Sequence, residues 1–256
     1  MTDREGDPDI TVIQRELFAP GRSKARRYAD LVVGRPGVWA LIKHELITTL
    51  CSGVPGALGL WLRSKLYRLL LGAAGRNVTF GVNVTLRHPH KIRLGDDVVI
   101  DDGCALDAKG TDNHGIRIGS GVFIGRNTIL SCKNGDIEIG DRTNIGFNCA
   151  IFSCARVRLG TNNLVAGYTY VVGGDHLYDR IDIPVPDQGR TGKGIELDDN
   201  VWLGAHVVVA DGSHGGRDAI IGAGALVMGE IPAYHVAAGM PAKVIRDRRD
   251  TGATNA

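Results

Sequence analysis

Residues 116–131 read IRIGSGVFIGRNTILS and contain a six-residue unit that repeats along the stretch. Ile118, Ile124 and Leu130 stand six positions apart, and a glycine or serine follows each of them. Side chains that alternate between inward and outward positions are typical of a β-strand, whereas turn-forming residues every six positions keep each strand very short. The stretch therefore predicts short strands separated by tight turns.

The same spacing extends on both sides, from about residue 76 to about residue 235. Three units make one triangular coil of about 18 residues, so that equivalent aliphatic side chains stack from coil to coil. We place the first aliphatic position of successive coils at Leu94, Ile118, Ile139, Leu159, Leu197 and Ile221. The pattern predicts an all-β, prism-shaped parallel β-helix whose core includes the small side chains of Cys104 and Cys149.

The composition agrees with a turn-rich fold and narrows the class of protein. The chain has 36 glycines in 256 residues, a formal net charge of +2 and five cysteines. An odd number of cysteines without a CxxC motif argues against a disulfide framework or a zinc ribbon. The near-zero net charge gives no sign of nucleic-acid binding. The polar start, MTDREGDPDI, does not resemble a secretory signal, so we expect a cytoplasmic protein.

Three regions follow from these patterns. We expect an N-terminal flexible and helical region over 1–75, the β-helix over 76–235, and a closing segment with a tail over 236–256. Within the first region, residues 1–30 are expected to be irregular and residues 35–72 helical.

The helical segment presents leucines on one face and basic residues on another, which leaves two interpretations open. The helix packs on its own domain or on a sister subunit, or residues 46–72 make peripheral contact with an anionic membrane. The uncharged stretch Leu46–Leu62 is too short for a spanning helix, and Pro55 interrupts it.

A regular prism is a scaffold, so function is expected where the repeat is interrupted. We place insertions at about 107–115, 133–136, 172–194 and 212–217. The longest, VGGDHLYDRIDIPVPDQGRTGKG, spans 172–194 and contains His176. A loop histidine can act as a general base at neutral pH.

Several segments of this sequence resemble the hexapeptide-repeat acyltransferases, and in particular those that acetylate sugars and polysaccharides. GGDHLYDRIDIPV resembles their catalytic loop, VWLGAHVVV and AIIGAGALV their last coils, and AAGMPAKVIR their closing signature. GALGLWLRSKLYRLLLGAAGRNVTFG resembles the helix that precedes the prism in some polysaccharide O-acetyltransferases. The resemblance covers about residues 56–248 and implies a left-handed parallel β-helix.

The resemblance also implies an activity and roles for residues. It implies transfer of an acetyl or other short acyl group from acyl-CoA to a carbohydrate hydroxyl, with His176 as the base and no metal. It implies that the CoA arm lies against Ala205 and Ala223, and that Lys243 and Arg246 lie near the CoA phosphates. It implies a homotrimer, with the site formed between neighbouring subunits.

This chain departs from the family at positions that matter for the acceptor. Many relatives have Thr-Lys where this chain has Met228 and Gly229, and the positions of the galactoside-type acceptor residues correspond to Gly146 and Cys154. We therefore do not transfer their substrate. Asn144 and Asn148 are candidate acceptor contacts, although both lie near turns, where asparagine is also favoured structurally.

Three other functions compete with this one, and the sequence disfavours the second. The acceptor atom could be the nitrogen of an amino sugar. A metal lyase of the γ-carbonic anhydrase type requires an HxxxxH pair, which this sequence lacks. A non-catalytic assembly module is the third alternative. We expect His88 and His90 to have a loop role, because no third metal ligand accompanies them.

Overall fold

The chain was described in a computed structural model over residues 23–250. Its main body is a parallel β-solenoid, in which three sheets form the three walls of a prism. The prediction of an all-β parallel β-helix is confirmed. From coil to coil the strands pair in parallel, as Asn144 does with Phe123 on one side and Leu164 on the other. The closing strand Lys243–Asp247 instead runs antiparallel to His235–Ala238.

The three walls differ in what they show to the outside. Sheet 1 contains Ala73–Ala74, Ile92–Leu94, Ile116–Ile118, Asp136–Ile139, Arg156–Leu159, Ile195–Leu197, His214–Gly215 and Glu230–Ile231. Sheet 2 contains Thr79–Phe80, Val99–Ile100, Phe123–Ile124, Asn144–Ile145, Leu164–Val165, Trp202–Leu203, Ile220–Ile221, His235–Ala238 and Lys243–Asp247. Sheet 3 contains Thr85–Arg87, Ala105–Asp107, Ile129–Cys132, Ala150–Ser153, Tyr170–Gly173, Val208–Val209 and Leu226–Val227. The outward side chains of sheet 1 are largely charged, whereas sheets 2 and 3 expose several apolar ones.

The inward aliphatic columns form one continuous core, as the six-residue spacing predicts. Cys104 and Cys149 are buried in it, which confirms their expected place. Asn163 interrupts the aliphatic pattern, but its side-chain oxygen and nitrogen both form hydrogen bonds inside the core. Its side-chain oxygen accepts a hydrogen bond from Val201 N at 2.6 Å, and its nitrogen donates to Gly160 O at 3.3 Å.

The predicted register is wrong in the last coils. Leu197 pairs with Gly215, which lies exactly one regular coil later, and Ile221 belongs to sheet 2 beside Leu203. There is accordingly no insertion at 212–217. The sequence signal failed because Gly215 occupies a position where an aliphatic residue was expected. A Cβ atom there would lie 2.8 Å from Cδ2 of Leu197, so the core is already filled.

Helices close the N-terminal end of the prism. They are α1 (Lys24–Tyr28), a π-helical turn (Ala29–Val33), α2 (Val38–Cys51) and α3 (Gly56–Leu66), followed by a 3-10 turn at Tyr67–Leu69. The expected irregular segment 1–30 is helical from Lys24, and its first 22 residues lie outside the described part. Ser23 caps α1 by accepting a hydrogen bond from Arg26 N at 3.3 Å, a contact that composition alone did not predict.

One buried arginine attaches these helices to the first coil. The Arg63 side chain is 1% exposed, and its Nε donates to Phe80 O at 2.9 Å. Its Nη1 donates to Cys51 O at 3.0 Å and to Val54 O at 2.6 Å. Tyr67 packs edge-on against Phe80, with the ring centroids 5.3 Å apart. The inward face of the helices therefore packs on their own domain.

Candidate active site

The long excursion leaves the prism between sheets 3 and 1, directly after Tyr170–Gly173. Gly174 has a φ of 155°, and a Cβ atom on it would lie 2.4 Å from the Cβ of Cys154. The missing side chain therefore lets the backbone turn outward against Cys154. This close approach of Gly174 to Cys154 fixes the position of Asp175 and His176, which follow directly.

A small antiparallel hairpin orders the excursion and carries the predicted base. Asp175–His176 pairs with Arg190–Thr191, and His176 lies directly opposite Arg190. The backbone N–H of His176 donates to Oδ1 of Asp175 at 2.8 Å, and Leu177 N donates to Gly189 O at 3.0 Å. His176 is thus held on a paired backbone, although its loop interrupts the repeat.

The rest of the excursion folds back on itself. A short helix, α4 (Val185–Gln188), ends in Gln188, whose side chain binds the backbone of Arg180 in both directions. Its Oε1 accepts from Arg180 N at 2.9 Å, and its Nε2 donates to Arg180 O at 2.6 Å. Arg180 also pairs with Asp182. The segment therefore has a defined shape.

His176 faces a cavity of about 420 Å³ on the outer surface of sheet 3. Lys133, Phe152, Tyr170 and Arg190 also line it. The Nδ1 atom of His176 is buried and has no hydrogen-bond partner among the described residues. A buried ring nitrogen without a partner, on the wall of a cavity, is available to a bound molecule.

The charged groups of the cavity differ in the contacts that they make. Both carboxylate oxygens of Asp211 accept backbone hydrogen bonds, from Lys193 N at 2.8 Å and from Gly194 N at 2.9 Å. Lys133 Nζ lies 5.7 Å from the centre of the Phe152 ring, within cation–π range. Burial raises the pKa of the Cys154 thiol, although Arg190 acts in the opposite direction. Cys154 is therefore a neutral thiol at pH 7 and a poor nucleophile.

The two candidate acceptor residues lie away from this cavity in the same chain. Asn148 occupies the corner that precedes sheet 3, at a φ of 54°, and Asn144 lies on the exposed face of sheet 2. Ala150–Ser153, a strand about 13 Å long, separates Asn148 from the corner on the His176 side. The left-handed backbone at position 148 is enough to explain why asparagine occurs there, since asparagine tolerates this conformation.

The four candidate CoA residues form a separate group near the C-terminal end of the prism. Ala205 and Ala223 lie at equivalent corners of successive coils, between sheets 2 and 3. Lys243 lies opposite Ala238 on the closing strand, and Arg246 lies opposite Val236. Ala205 and Ala223 lie at the opposite edge of sheet 3 from His176, and Lys243 and Arg246 lie on the closing strand of sheet 2, so that one chain does not bring this group to His176.

Sequence reasoning missed Arg190 and Lys133 as residues of the cavity. Arg190 is 14 residues after His176, and only the closure of the hairpin places it opposite the imidazole. Lys133 comes from two coils earlier, and the stacking of Cys132 on Ser153 and of Ser153 on Gly173 brings it to the same edge. The sequence does show a basic residue, Arg190, near the end of the excursion. It does not show how close that residue lies to His176.

The remaining histidines have structural surroundings. His88 lies 3.0 Å from Asp30 O through Nε2, and its ring stacks near that of His90. Burial lowers the pKa of His90 to about 4, so it is neutral at pH 7. His206 stacks on Tyr168 with the centroids 5.0 Å apart. Across residues 23–250, no group of three or more His, Cys, Asp or Glu side chains is arranged to hold a metal ion.

Comparison with known proteins gives the class to which this fold and loop correspond. The chain is 30% identical over 165 residues to a probable acetyltransferase of Mycobacterium tuberculosis, covering 62% of this chain and 55% of that protein. It is 34% identical over 120 residues to the galactoside O-acetyltransferase of Escherichia coli, covering 45% and 56% respectively. The chain thus spans about half the length of these curated relatives. No family model matches it.

Among solved structures, one similar fold is a variant of AntD, an N-acyltransferase from Bacillus cereus, in complex with an amino-sugar nucleotide and coenzyme A. Its TM-score is 0.53 at 20% identity, and the match covers 78% of this chain and 92% of that one. The chain is a parallel β-solenoid protein whose homologues are acetyltransferases of the hexapeptide-repeat type. The resemblance inferred from the sequence is confirmed.

Proposed function

We propose that this protein transfers an acetyl or other short acyl group from acyl-CoA to a hydroxyl group of a carbohydrate or glycoconjugate. The observation that carries the proposal is the buried, unpartnered ring nitrogen of His176 on the wall of the cavity. The names of the curated relatives, which include a galactoside O-acetyltransferase, support the choice of reaction and acceptor. Because acyl-CoA is the donor, we place the protein in the cytoplasm.

In this proposal His176 accepts the proton of the acceptor hydroxyl as its oxygen attacks the thioester carbonyl. A backbone N–H at the site donates to the oxyanion of the tetrahedral intermediate. Collapse of the intermediate breaks the carbon–sulfur bond, and the imidazolium returns its proton to the leaving CoA thiolate. His176 ends the cycle neutral, so no covalent enzyme intermediate and no metal are needed.

The proposal is tested by thiol release from acetyl-CoA in the presence of sugars, amino sugars and nucleotide sugars. We expect release that depends on a hydroxyl acceptor. Release only with amino acceptors would favour N-transfer instead. Absence of release with every acceptor, together with no thermal stabilisation by acetyl-CoA, would favour a non-catalytic assembly module.

The arrangement of the two residue groups supports a homotrimer as the active form. His176 lies at one edge of sheet 3 and the predicted CoA residues lie at the other edge or on the closing strand, and a neighbouring subunit can bring the two groups together. Sheet 2 exposes a column of apolar side chains that a subunit contact would cover. This column contains Phe123, Leu164 and Trp202, with Asn144 between the first two. In this arrangement Asn144 and Asn148 contribute to acceptor binding from the neighbour.

Trp202→Glu is expected to convert the trimer to monomers, because a carboxylate replaces the largest side chain of this column. Sedimentation velocity measures the change, and acyl transfer should be lost with it. Arg93→Glu, on the charged outer face of sheet 1, is the matched control and should remain trimeric. A monomeric wild-type protein with full activity would contradict the proposal.

The exposed face of α2 and α3 supports peripheral membrane contact through residues 46–72, together with the first helical turn of α2. Trp39 is 81% exposed and Trp61 is 59% exposed, and leucines accompany both. Residues 23–75 contain eight Lys and Arg against two acidic residues, and of the basic ones Arg63 is buried. Indole rings flanked by cations favour the interface of an anionic bilayer. Among the described helices, none is long and apolar enough to cross a membrane.

Replacement of both Trp39 and Trp61 by serine is expected to abolish co-sedimentation with vesicles that contain anionic phosphatidylglycerol. Wild-type protein should bind these vesicles more strongly than pure phosphatidylcholine, and salt should weaken the binding. Ile245→Ser, an equally exposed apolar site on the closing strand, is the control. If the wild-type protein stays in the supernatant with both vesicle types, the proposed membrane contact is wrong.

A further inference from the structure

The cavity beside His176 contains two cationic side chains that lack an acidic partner. Neither Arg190 nor Lys133 forms an ion pair with any described residue. The Nε of Arg190 is buried and has no hydrogen-bond acceptor among the described residues. A buried donor without an acceptor is unfavourable in the empty protein, and a bound anion would satisfy it.

The acidic residues of the cavity do not provide a partner for these two cations. Asp211 uses both oxygens to accept N–H groups of the chain, as described above. Asp175 accepts the N–H of His176 through Oδ1 and is otherwise exposed. Neither carboxylate lies within ion-pair distance of Arg190 or Lys133. Neither cation is therefore neutralised by a carboxylate of the cavity, although Lys133 lies near the Phe152 ring and Arg190 near the Cys154 thiol.

We propose that Arg190 and Lys133 form a subsite for an acidic group, a carboxylate or a phosphate, on the acceptor itself. This inference rests on the proposed acyltransferase function and names the class of its acceptor. A guanidinium group binds either anion through two parallel N–H bonds, and a lysine adds a point charge. The acceptor is accordingly a sugar that carries a uronic acid, another carboxylate or a phosphate group.

The register of the hairpin sets the distance between this subsite and the base. Directly opposite residues in an antiparallel pair have Cβ atoms about 5 Å apart on the same face. His176 and Arg190 are such a pair. Both side chains line the same cavity of about 420 Å³, so an anion on Arg190 lies in the cavity that the imidazole faces. The acidic group and the hydroxyl that is acylated are expected on the same sugar residue.

The CoA phosphates are a less suitable source for this anion. They are separated from the thioester by the whole pantetheine arm, whereas the base must lie next to the thioester carbonyl. Lys243 and Arg246 lie on the closing strand and remain the candidates for those phosphates. An anion beside His176 therefore comes from the acceptor.

The test compares matched acceptors: methyl glucuronide with methyl glucoside, and a sugar phosphate with its parent sugar. Wild-type kcat/KM should favour the acidic member of each pair by about 10- to 100-fold, as expected for a charged hydrogen-bonded pair. Arg190→Gln and Lys133→Gln should each reduce that preference by raising KM for the acidic acceptor. Arg190→Lys should restore part of it, and Arg93→Gln should change nothing. Thermal melting checks that each variant folds.

Three outcomes overturn the inference. Equal use of neutral and acidic acceptors removes the subsite while leaving the acyltransferase intact. A rise in KM for acetyl-CoA in Arg190→Gln or Lys133→Gln that disappears when acetyl-3′-dephospho-CoA is the donor assigns the two cations to the 3′-phosphate of the donor. No transfer to any acceptor by the folded wild-type protein removes the proposed function and this subsite together.

Discussion

His176→Ala is expected to lower kcat/KM for acyl transfer by about 10²- to 10⁴-fold, the usual contribution of a positioned general base. The variant loses the imidazole that faces the cavity but keeps the backbone pairing with Arg190. Binding of acetyl-CoA should change little, because the candidate CoA residues lie on the closing strand and the opposite corner. Steady-state thiol release, together with thermal melting in the presence of acetyl-CoA, separates these two effects.

The matched control is His114→Ala, which removes an exposed histidine from a loop outside the cavity. It should retain wild-type kcat/KM. The assignment of His176 fails if its alanine variant keeps more than about a tenth of the wild-type rate, since that would leave too little for a base to contribute.

Arg63→Ala is expected to reduce the free energy of unfolding by about 3 kcal/mol or more. The substitution leaves the carbonyl oxygens of Cys51, Val54 and Phe80 without their donor and opens a space where the side chain lay. Because these carbonyls belong to the helices and the first coil, the loss should detach the N-terminal helices first. Urea unfolding followed by circular dichroism measures the change.

Lys65→Ala, two residues further along α3 and exposed, is the control and should change stability by less than about 0.5 kcal/mol. An Arg63→Ala variant as stable as this control would show that water replaces the guanidinium without cost. The hydrogen bonds of Arg63 would then not be what attaches the helices to the first coil.

The solenoid could be predicted because its signal is repeated many times. Each Ile-Gly or Val-Ala step is weak alone, but stacking requires the same residue type at the same place in every coil. The prediction failed where a single coil departs from the pattern, at Gly215, whose neighbour Leu197 fills the missing volume. A spacing argument cannot detect that compensation, since it depends on side-chain packing between coils.

Less of the site than of the fold could be predicted from the sequence, because several of its residues meet only through tertiary pairing. His176 could be found because it lies in the one long excursion, and the structure places it on a cavity wall. Arg190 and Lys133 reach the same cavity only through hairpin closure and coil stacking. In the proposed trimer the roles of Asn144 and Asn148 depend on a neighbouring subunit, whereas the left-handed backbone of Asn148 is by itself a reason for asparagine there. Contacts that arise from tertiary pairing produce no regular spacing pattern in the sequence from which they could be predicted.

Direct transfer by His176 is tested by following a labelled acetyl group from acetyl-CoA into an acceptor pool of neutral, amino and acidic sugars. Wild-type protein should place the label on a sugar hydroxyl, in equal amount to the thiol released, and His176→Ala should not. Label recovered only as free acetate, or attached to the protein, would contradict direct transfer by a histidine base.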